Sequence, residues 1–173
     1  VPGGLKEGMT FKAKYGYVGL AVEQEEFVVD GLNEAGLAAA LFYFPDYGQY
    51  EDYDPASKST TISDLQLVSW ILSRFSTIDE VREAISGIHV VTIDPRGSTV
   101  HWRITEENGR QVVLEIVGGK PTFYENTLGV LTNSPGFEWH ITNLNNYVNL
   151  AAGPIKEHKV GELMLTAFGG GAG

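Results

Sequence analysis

Apolar and polar positions alternate along most of this chain at the period of a half-buried strand, and in three stretches the period lengthens to that of a helix. Residues 15–21 and 27–30 are short β-rich runs separated by the polar Glu23-Gln24-Glu25-Glu26. Asp30-Gly31-Leu32-Asn33-Glu34-Ala35-Gly36 carries a double turn signal, and residues 37–44 after it predict a strand that Pro45 ends. Its small Ala38, Ala39 and Ala40 would let a neighbouring layer approach closely. The helical period comes next. Ile62, Leu65, Val68, Ile71, Leu72 and Phe75 share one face and predict a first helix, with Trp70 in the core. Thr77-Ile78-Asp79-Glu80 is a capping box that opens a second helix, and Gly87 ends it. Strands are then predicted over 89–93, 98–105 and 110–117, separated by tight turns at Asp94-Pro95-Arg96-Gly97 and Glu107-Asn108-Gly109. Gly118-Gly119-Lys120-Pro121 breaks the pattern before Phe123-Tyr124-Glu125-Asn126. The apolar run 128–131 reads as a buried strand, and Trp139, Thr142, Asn143, Asn146 and Tyr147 fall at helical spacing after it. Strands, two helices, strands and one helix in this order predict an α+β fold with antiparallel sheets, two of them sandwiched between helix layers.

Composition narrows the function classes. With 173 residues and 43% hydrophobic content the chain is long enough for one domain with a real core. A formal net charge of −10 opposes binding to a phosphate backbone, so no nucleic-acid partner is expected. No apolar run approaches the roughly 18 residues of a membrane span, and the chain does not open on a signal-peptide pattern. Cysteine is absent, which excludes disulfides and thiolate metal sites within these residues. The chain starts at Val1 in the loop Val1-Pro2-Gly3-Gly4 and closes on Gly169-Gly170-Gly171-Ala172-Gly173, and a glycine loop connects elements more naturally than it finishes a domain. These ends predict that residues 1–173 are the central part of a longer domain, truncated on both sides.

The candidate chemistry centres on Thr132-Asn133-Ser134-Pro135-Gly136. An Asn at the exit of a strand, locked by a Ser-Pro-Gly turn, is a well-placed side-chain amide that can donate to an oxyanion. The same Asn133 can instead tie down its own loop through an Asx turn. Residues 46–59 are polar and turn-rich, with Tyr47, Tyr50 and Tyr53 among Asp46, Glu51, Asp52 and Asp54. Their spacing fits neither a calcium loop nor a carboxylate pair and reads as a solvated loop beside a site. His89, His101, His140 and His158 make no metal-ligand spacing, and His101 beside Trp102 reads as structural. No G-x-S-x-G elbow, G-x-G-x-x-G spacing or Walker lysine is present, so no cofactor is expected.

Thr132-Asn133-Ser134-Pro135-Gly136-Phe137-Glu138-Trp139-His140-Ile141-Thr142-Asn143-Leu144 closely resembles the T-N-[SN]-P-x-[FY]-[DE]-W-x-x-T-N-L signature of the choloylglycine hydrolase family, which contains bile salt hydrolases and penicillin V acylases. Asp30-Gly31-Leu32-Asn33-Glu34-Ala35-Gly36-Leu37 is similar to the family's D-G-[ML]-N-E-x-G-L, and His101-Trp102, Asn108-Gly109 and the terminal glycine run follow in family order. The resemblance implies an N-terminal nucleophile hydrolase with an αββα four-layer sandwich, of which this chain is a part. It implies a cysteine nucleophile at the first mature residue, whose free α-amino group, with an unperturbed pKa of roughly 7.7–8.0, serves as the base. This chain carries no cysteine and begins with Val1, so that machinery is expected upstream.

Two catalytic positions map onto the chain by resemblance: Asn133, whose side-chain amide would help form the oxyanion hole, and Tyr43, whose backbone N–H would be the second donor. Tyr43, Phe42, Tyr47, Tyr50 and Phe137 are the implied substrate contacts. Tyr at the first of these, where bile salt hydrolases often carry Asn, is seen in penicillin V acylases. The implied partner is a small-molecule amide, a conjugated bile salt or penicillin V, and the implied assembly a homotetramer. An acid-ceramidase-like amidase and a non-catalytic module for apolar ligands are the alternatives. Oriented donors without a nucleophile only polarise a carbonyl, so residues 1–173 alone should show no turnover of glycocholate, taurocholate or penicillin V. A repurified preparation that still hydrolyses any of the three overturns the cysteine mechanism.

Overall fold

Alternating burial organises one antiparallel sheet in the computed structural model, which describes residues 7–94, 97–148 and 156–165. Residues Val1–Phe137 form one unit and Glu138–Gly173 another. In the first unit the strands are β1 (Tyr17–Ala21), β2 (Val28–Asn33), β3 (Ala38–Tyr43), β4 (Thr61–Ser63), β5 (His89–Val91), β6 (Val100–Thr105), β7 (Gln111–Val117) and β8 (Lys120–Glu125). Its helices are α1 (Leu67–Arg74) and α2 (Ile78–Ile85), and α3 (Phe137–Asn143) starts at its last residue. The sheet runs β1-β2-β3-β6-β7-β8, all antiparallel, while β4 and β5 form a separate parallel pair. In the second unit, α3 continues into a 3₁₀ turn at Leu144–Tyr147, and β9 (His158–Val160) pairs with β10 (Leu163–Leu165).

One sheet face is covered by helices. Leu37, Ala39, Trp102, Ile104, Val112 and Leu114 point to that side and pack with Val68, Ile71, Leu72, Ile78 and Val81 of α1 and α2. At Gly31 a Cβ would come within 2.7 Å of Leu72 Cδ1, so the absence of a side chain there sets how closely α1 approaches β2. Alternation puts Leu32 and its cross-strand partner Val18 on the opposite face, where both are exposed. Phe42, His101 and Glu115 also fall on that second face, because their neighbours Leu41, Trp102 and Leu114 belong to the core.

Local signals account for the turns. Gly109 adopts φ +88° between β6 and β7, and Gly118 and Gly119 adopt +59° and +70° between β7 and β8, a left-handed pair that closes a two-residue hairpin. Pro121 is tolerated because β8 is an edge strand. The capping box is in place: Thr77 Oγ1 accepts the Glu80 N–H at 3.2 Å.

Two expected elements differ. The first predicted helix does not begin at Ile62: Thr61, Ile62 and Ser63 are β4, residues Asp64–Gln66 make a 3₁₀ turn, and α1 starts at Leu67. The reason is non-local, since Thr61, Ile62 and Ser63 pair with His89, Val90 and Val91 of β5. The run 128–131 is not a buried strand either, and Leu128 and Val130 are exposed. Asn126 folds this segment into a turn: its amide donates to the Val130 carbonyl at 3.0 Å, its oxygen accepts the Gly129 N–H at 3.0 Å, and Gly129 adopts φ +70°. The 94–97 turn is closed by a 2.9 Å bond from the Gly97 N–H to the Asp94 carbonyl. Pro95 and Arg96 lie outside the described residues, as does the glycine run 169–173.

Buried polar groups fasten the helix layer to the sheet. Asn33 donates through Nδ2 to the carbonyls of Leu72 at 2.8 Å and Phe75 at 2.7 Å, and its Oδ1 accepts from Ala35 and Leu37 at 3.1 and 2.9 Å. One side chain thereby caps the C-terminal end of α1 and closes the turn between β2 and β3. Each buried backbone group it satisfies would cost about 1–3 kcal/mol if left unpaired.

Asp64, under the entry to α1, is buried, and its carboxyl is pushed up to about 6 from 3.8. Burial is the main cause, opposed by hydrogen bonds from the N–H groups of Leu65 and Ile93 and from the Ser63 hydroxyl. Because the folded state holds this proton more tightly than the unfolded chain, the contribution of Asp64 to stability is greatest below pH 4 and declines as pH rises towards and through 6. The shift corresponds to about 3 kcal/mol at 1.36 kcal/mol per unit. Asp64→Asn should remove this contribution. Urea denaturation at pH 4 and pH 7.5 should show the variant gaining on the native protein by that order as pH rises.

Candidate functional site

The site is assembled where β3 ends. The β3–β6 ladder pairs Phe42 with His101 and Tyr43 with Val100, and beyond it the Phe44 N–H donates to the Thr99 carbonyl at 2.8 Å. Backbone groups alternate sides along an antiparallel strand, so the Tyr43 N–H points away from β6. On that side, pairing of β3 with β2 has already stopped at Ala40. The Tyr43 side chain is 63% exposed. A strand end with an N–H aimed out of the ladder beside an exposed ring is what a backbone oxyanion donor requires.

The Asn133 loop reaches this strand end from far along the chain. Ser134 Oγ donates to the Pro45 carbonyl at 2.7 Å across 89 residues of sequence. The Ser134–Pro135 peptide is cis. Asn133 itself is exposed. Two residues before one end of this contact stands Tyr43, and one residue before the other stands Asn133, so the fold joins the two segments that carry the predicted donors.

Beneath the loop lies a buried polar group that the sequence reading did not single out as functional. His101 is fully buried and Glu115 is 3% exposed. His101 Nδ1 lies 3.2 Å from Glu115 Oε1, and Nε2 lies 3.0 Å from the Thr132 carbonyl. A carbonyl oxygen only accepts, so Nε2 is the protonated, donating nitrogen of that bond. Glu115 Oε1 also accepts the Phe137 N–H at 2.8 Å. The imidazole stacks on Phe44, with centroids 4.4 Å apart and planes 10° apart, and meets Phe42 edge-on at 6.3 Å. His101 is therefore structural, as expected, but what it supports is the loop that carries Asn133. Glu115 had a visible signal: it is one carboxylate inside the apolar run Val112-Val113-Leu114-Glu115-Ile116-Val117.

The predicted substrate contacts divide into two groups. Tyr43 and Tyr47 are exposed, and Tyr47 stacks on Phe44 at 5.8 Å. Phe42 is half-buried beneath the Arg103 guanidinium, 6.0 Å from its ring centre. Tyr50 and Phe137 face inward instead. The Tyr50 hydroxyl donates to the Val100 carbonyl and accepts from the Val100 N–H, both at 2.7 Å, and burial pushes its phenol well above the usual range. Phe137 is buried, with its ring 5.9 Å from Tyr124. Among the described residues no group of three or more His, Asp or Glu side chains is placed to hold a metal ion.

Comparison with known proteins bears on the family and the fold. Residues 4–173 match the family described as linear amide C–N hydrolases, choloylglycine hydrolase family. The chain is 37% identical over 166 residues to a bile salt hydrolase/transferase of Clostridium perfringens, covering 92% of this chain and 50% of that protein. A bile salt hydrolase/transferase of Lactiplantibacillus plantarum is 32% identical over 139 residues, 77% of this chain and 42% of that one. The crystal structure of a variant conjugated bile acid hydrolase from Clostridium perfringens superposes with a TM-score of 0.75 at 36% identity, covering 93% of this chain and 51% of that one. Penicillin V acylase from Agrobacterium tumefaciens gives 0.66 at 26% identity, covering 83% and 45%. This chain thus spans about half the length of the relatives it matches. The α+β antiparallel fold is that of these N-terminal nucleophile hydrolases, and the chain belongs to the choloylglycine hydrolase family.

Proposed function

We propose that residues 1–173 are the oxyanion-binding part of a longer amide hydrolase whose cysteine nucleophile, with its α-amino base, lies outside them. Asn133 donates through its side-chain amide and Tyr43 through its backbone N–H to the oxygen of the tetrahedral intermediate. The thiolate attacks the amide carbonyl, negative charge builds on that oxygen, and two fixed donors stabilise it without having to reorganise. The leaving amine departs with a proton from the base, and water then hydrolyses the thioester. The observation that carries this reading is the Ser134–Pro45 hydrogen bond, which joins the Asn133 loop to the exit of β3.

The substrate is a small amide with an apolar acyl group, a conjugated bile salt or penicillin V. The exposed Tyr43 and Tyr47 rings are the acyl contacts, with Phe42 beneath them. The exposed apolar Val18 and Leu32 on the second sheet face support a longer protein whose remaining layers cover that face.

In the full-length protein, Asn133→Ala should lower kcat by about 10²–10³ with a smaller effect on KM, as expected for the loss of one oxyanion donor. Steady-state kinetics on penicillin V and glycocholate measure this; a kcat within a few-fold of the native value removes Asn133 from the oxyanion hole. Tyr43→Asn leaves the backbone donor in place and changes only the ring. Aromatic stacking is worth roughly 0.5–1.5 kcal/mol, so the kcat/KM ratio of penicillin V to glycocholate should shift towards glycocholate by about two- to thirteen-fold. An unchanged ratio means that this ring does not select the acyl group.

A further inference from the structure

We propose that the buried His101–Glu115 pair is the positioning device of the site, setting the separation between the Asn133 loop and the strand end that carries Tyr43. The proposal rests on the oxyanion reading for its catalytic consequence and on geometry alone for its structural part.

Phe42, His101 and Glu115 lie side by side across β3, β6 and β7 on one face of the sheet: Phe42 pairs with His101, and the Trp102–Leu114 pair sets His101 beside Glu115. Sheet positions are rigid relative to loops, and both ends of the turn 132–137 are fastened to this row. On the loop side, His101 Nε2 holds the carbonyl of Thr132, immediately before Asn133, and Glu115 Oε1 holds the N–H of Phe137, at the start of α3. The turn is thereby gripped at both ends by two side chains that grip each other. On the strand side, the rings of Phe42 and Phe44, which flank Tyr43, both touch the imidazole. A single ring thus contacts the neighbours of both predicted donors. The Thr132 carbonyl only accepts, so Nε2 is the donor that holds it, and Nδ1 is left facing Glu115.

Space at Gly136 is part of the device. A Cβ there would lie 3.3 Å from Glu115 Oε2, tighter than most real contacts, so any side chain at 136 would make the carboxylate give way by a few tenths of an ångström. Gly136→Ala therefore perturbs the pair by a few tenths of an ångström, whereas Glu115→Ala removes it.

The experiment uses the full-length protein and two readouts. Hydrogen–deuterium exchange by mass spectrometry follows the segment 132–137 independently of any activity. In Glu115→Ala this segment should exchange at least tenfold faster while β3, β6 and β7 keep their protection; Glu115→Gln, which retains an acceptor for Phe137, should recover part of it. The second readout is a cycle with Asn133→Ala. If the pair acts through Asn133, Glu115→Ala lowers kcat by about 10²-fold, the scale of an ångström-sized misplacement, with KM nearly unchanged. Added to Asn133→Ala it should then cost less than about threefold more. Unchanged exchange of segment 132–137 overturns the proposal, and so do kcat losses that simply multiply. Should Glu115→Ala fail to fold, Gly136→Ala carries the same test, with a smaller change in the same direction expected and no change counting against it. A full-length protein that turns over neither penicillin V nor glycocholate defeats the oxyanion reading, while the exchange result still decides whether the pair holds the loop.

Discussion

A carboxylate buried inside an apolar strand has to be partnered, and at Glu115 that requirement shapes the site. Leaving such a charge unpaired in a sheet interior costs several kcal/mol, so its oxygens dictate what lies against them. Here the partners are an imidazole on the adjacent strand and a backbone N–H at the start of a helix. The imidazole has a second nitrogen to satisfy, and it takes the Thr132 carbonyl. The path of residues 132–137 is the outcome of these obligations, and Ser134 completes it by bonding the exit of β3.

The helix layer is attached by the same kind of chemistry. Asn33 sits in a turn between two strands and uses all of its hydrogen-bonding capacity on backbone groups, two of them carbonyls near the end of α1. Asn126 does the same in a smaller way for the turn that precedes the candidate site. In each case a short amide side chain substitutes for missing ladder partners in an irregular segment. The irregular parts around this sheet are consequently specific in shape, and specific shape is what an oxyanion site needs from loops.

Surface charge contributes less to this picture. Arg110 bonds Asp79 and Glu125, and Arg82 bonds Glu125 as well, but these groups are largely solvent-exposed and such pairs contribute little each. The negative balance of the chain bears on solubility and partner choice rather than on the fold.

The sequence by itself determined the features with local causes. The capping box at Thr77, the Asn108-Gly109 hairpin, the end of β3 at Pro45 and the face of α1 all follow from backbone preferences and periodicity over a few residues. The family signature around Asn133 was legible for the same reason, being contiguous. Tertiary structure decided what depends on distant partners. Ile62 fits a helical face, yet it lies in β4 because β5, some way along the chain, offers a strand to pair with. Leu128 to Val130 are apolar enough for a strand but are wrapped round Asn126, since no ladder partner reaches them among the described residues. The role of His101 was not legible because its partners, Glu115 and Thr132, stand 14 and 31 residues away. Hydrogen bonds between side chains on different strands leave no period in the sequence, so only the folded sheet brings that histidine under the loop it holds.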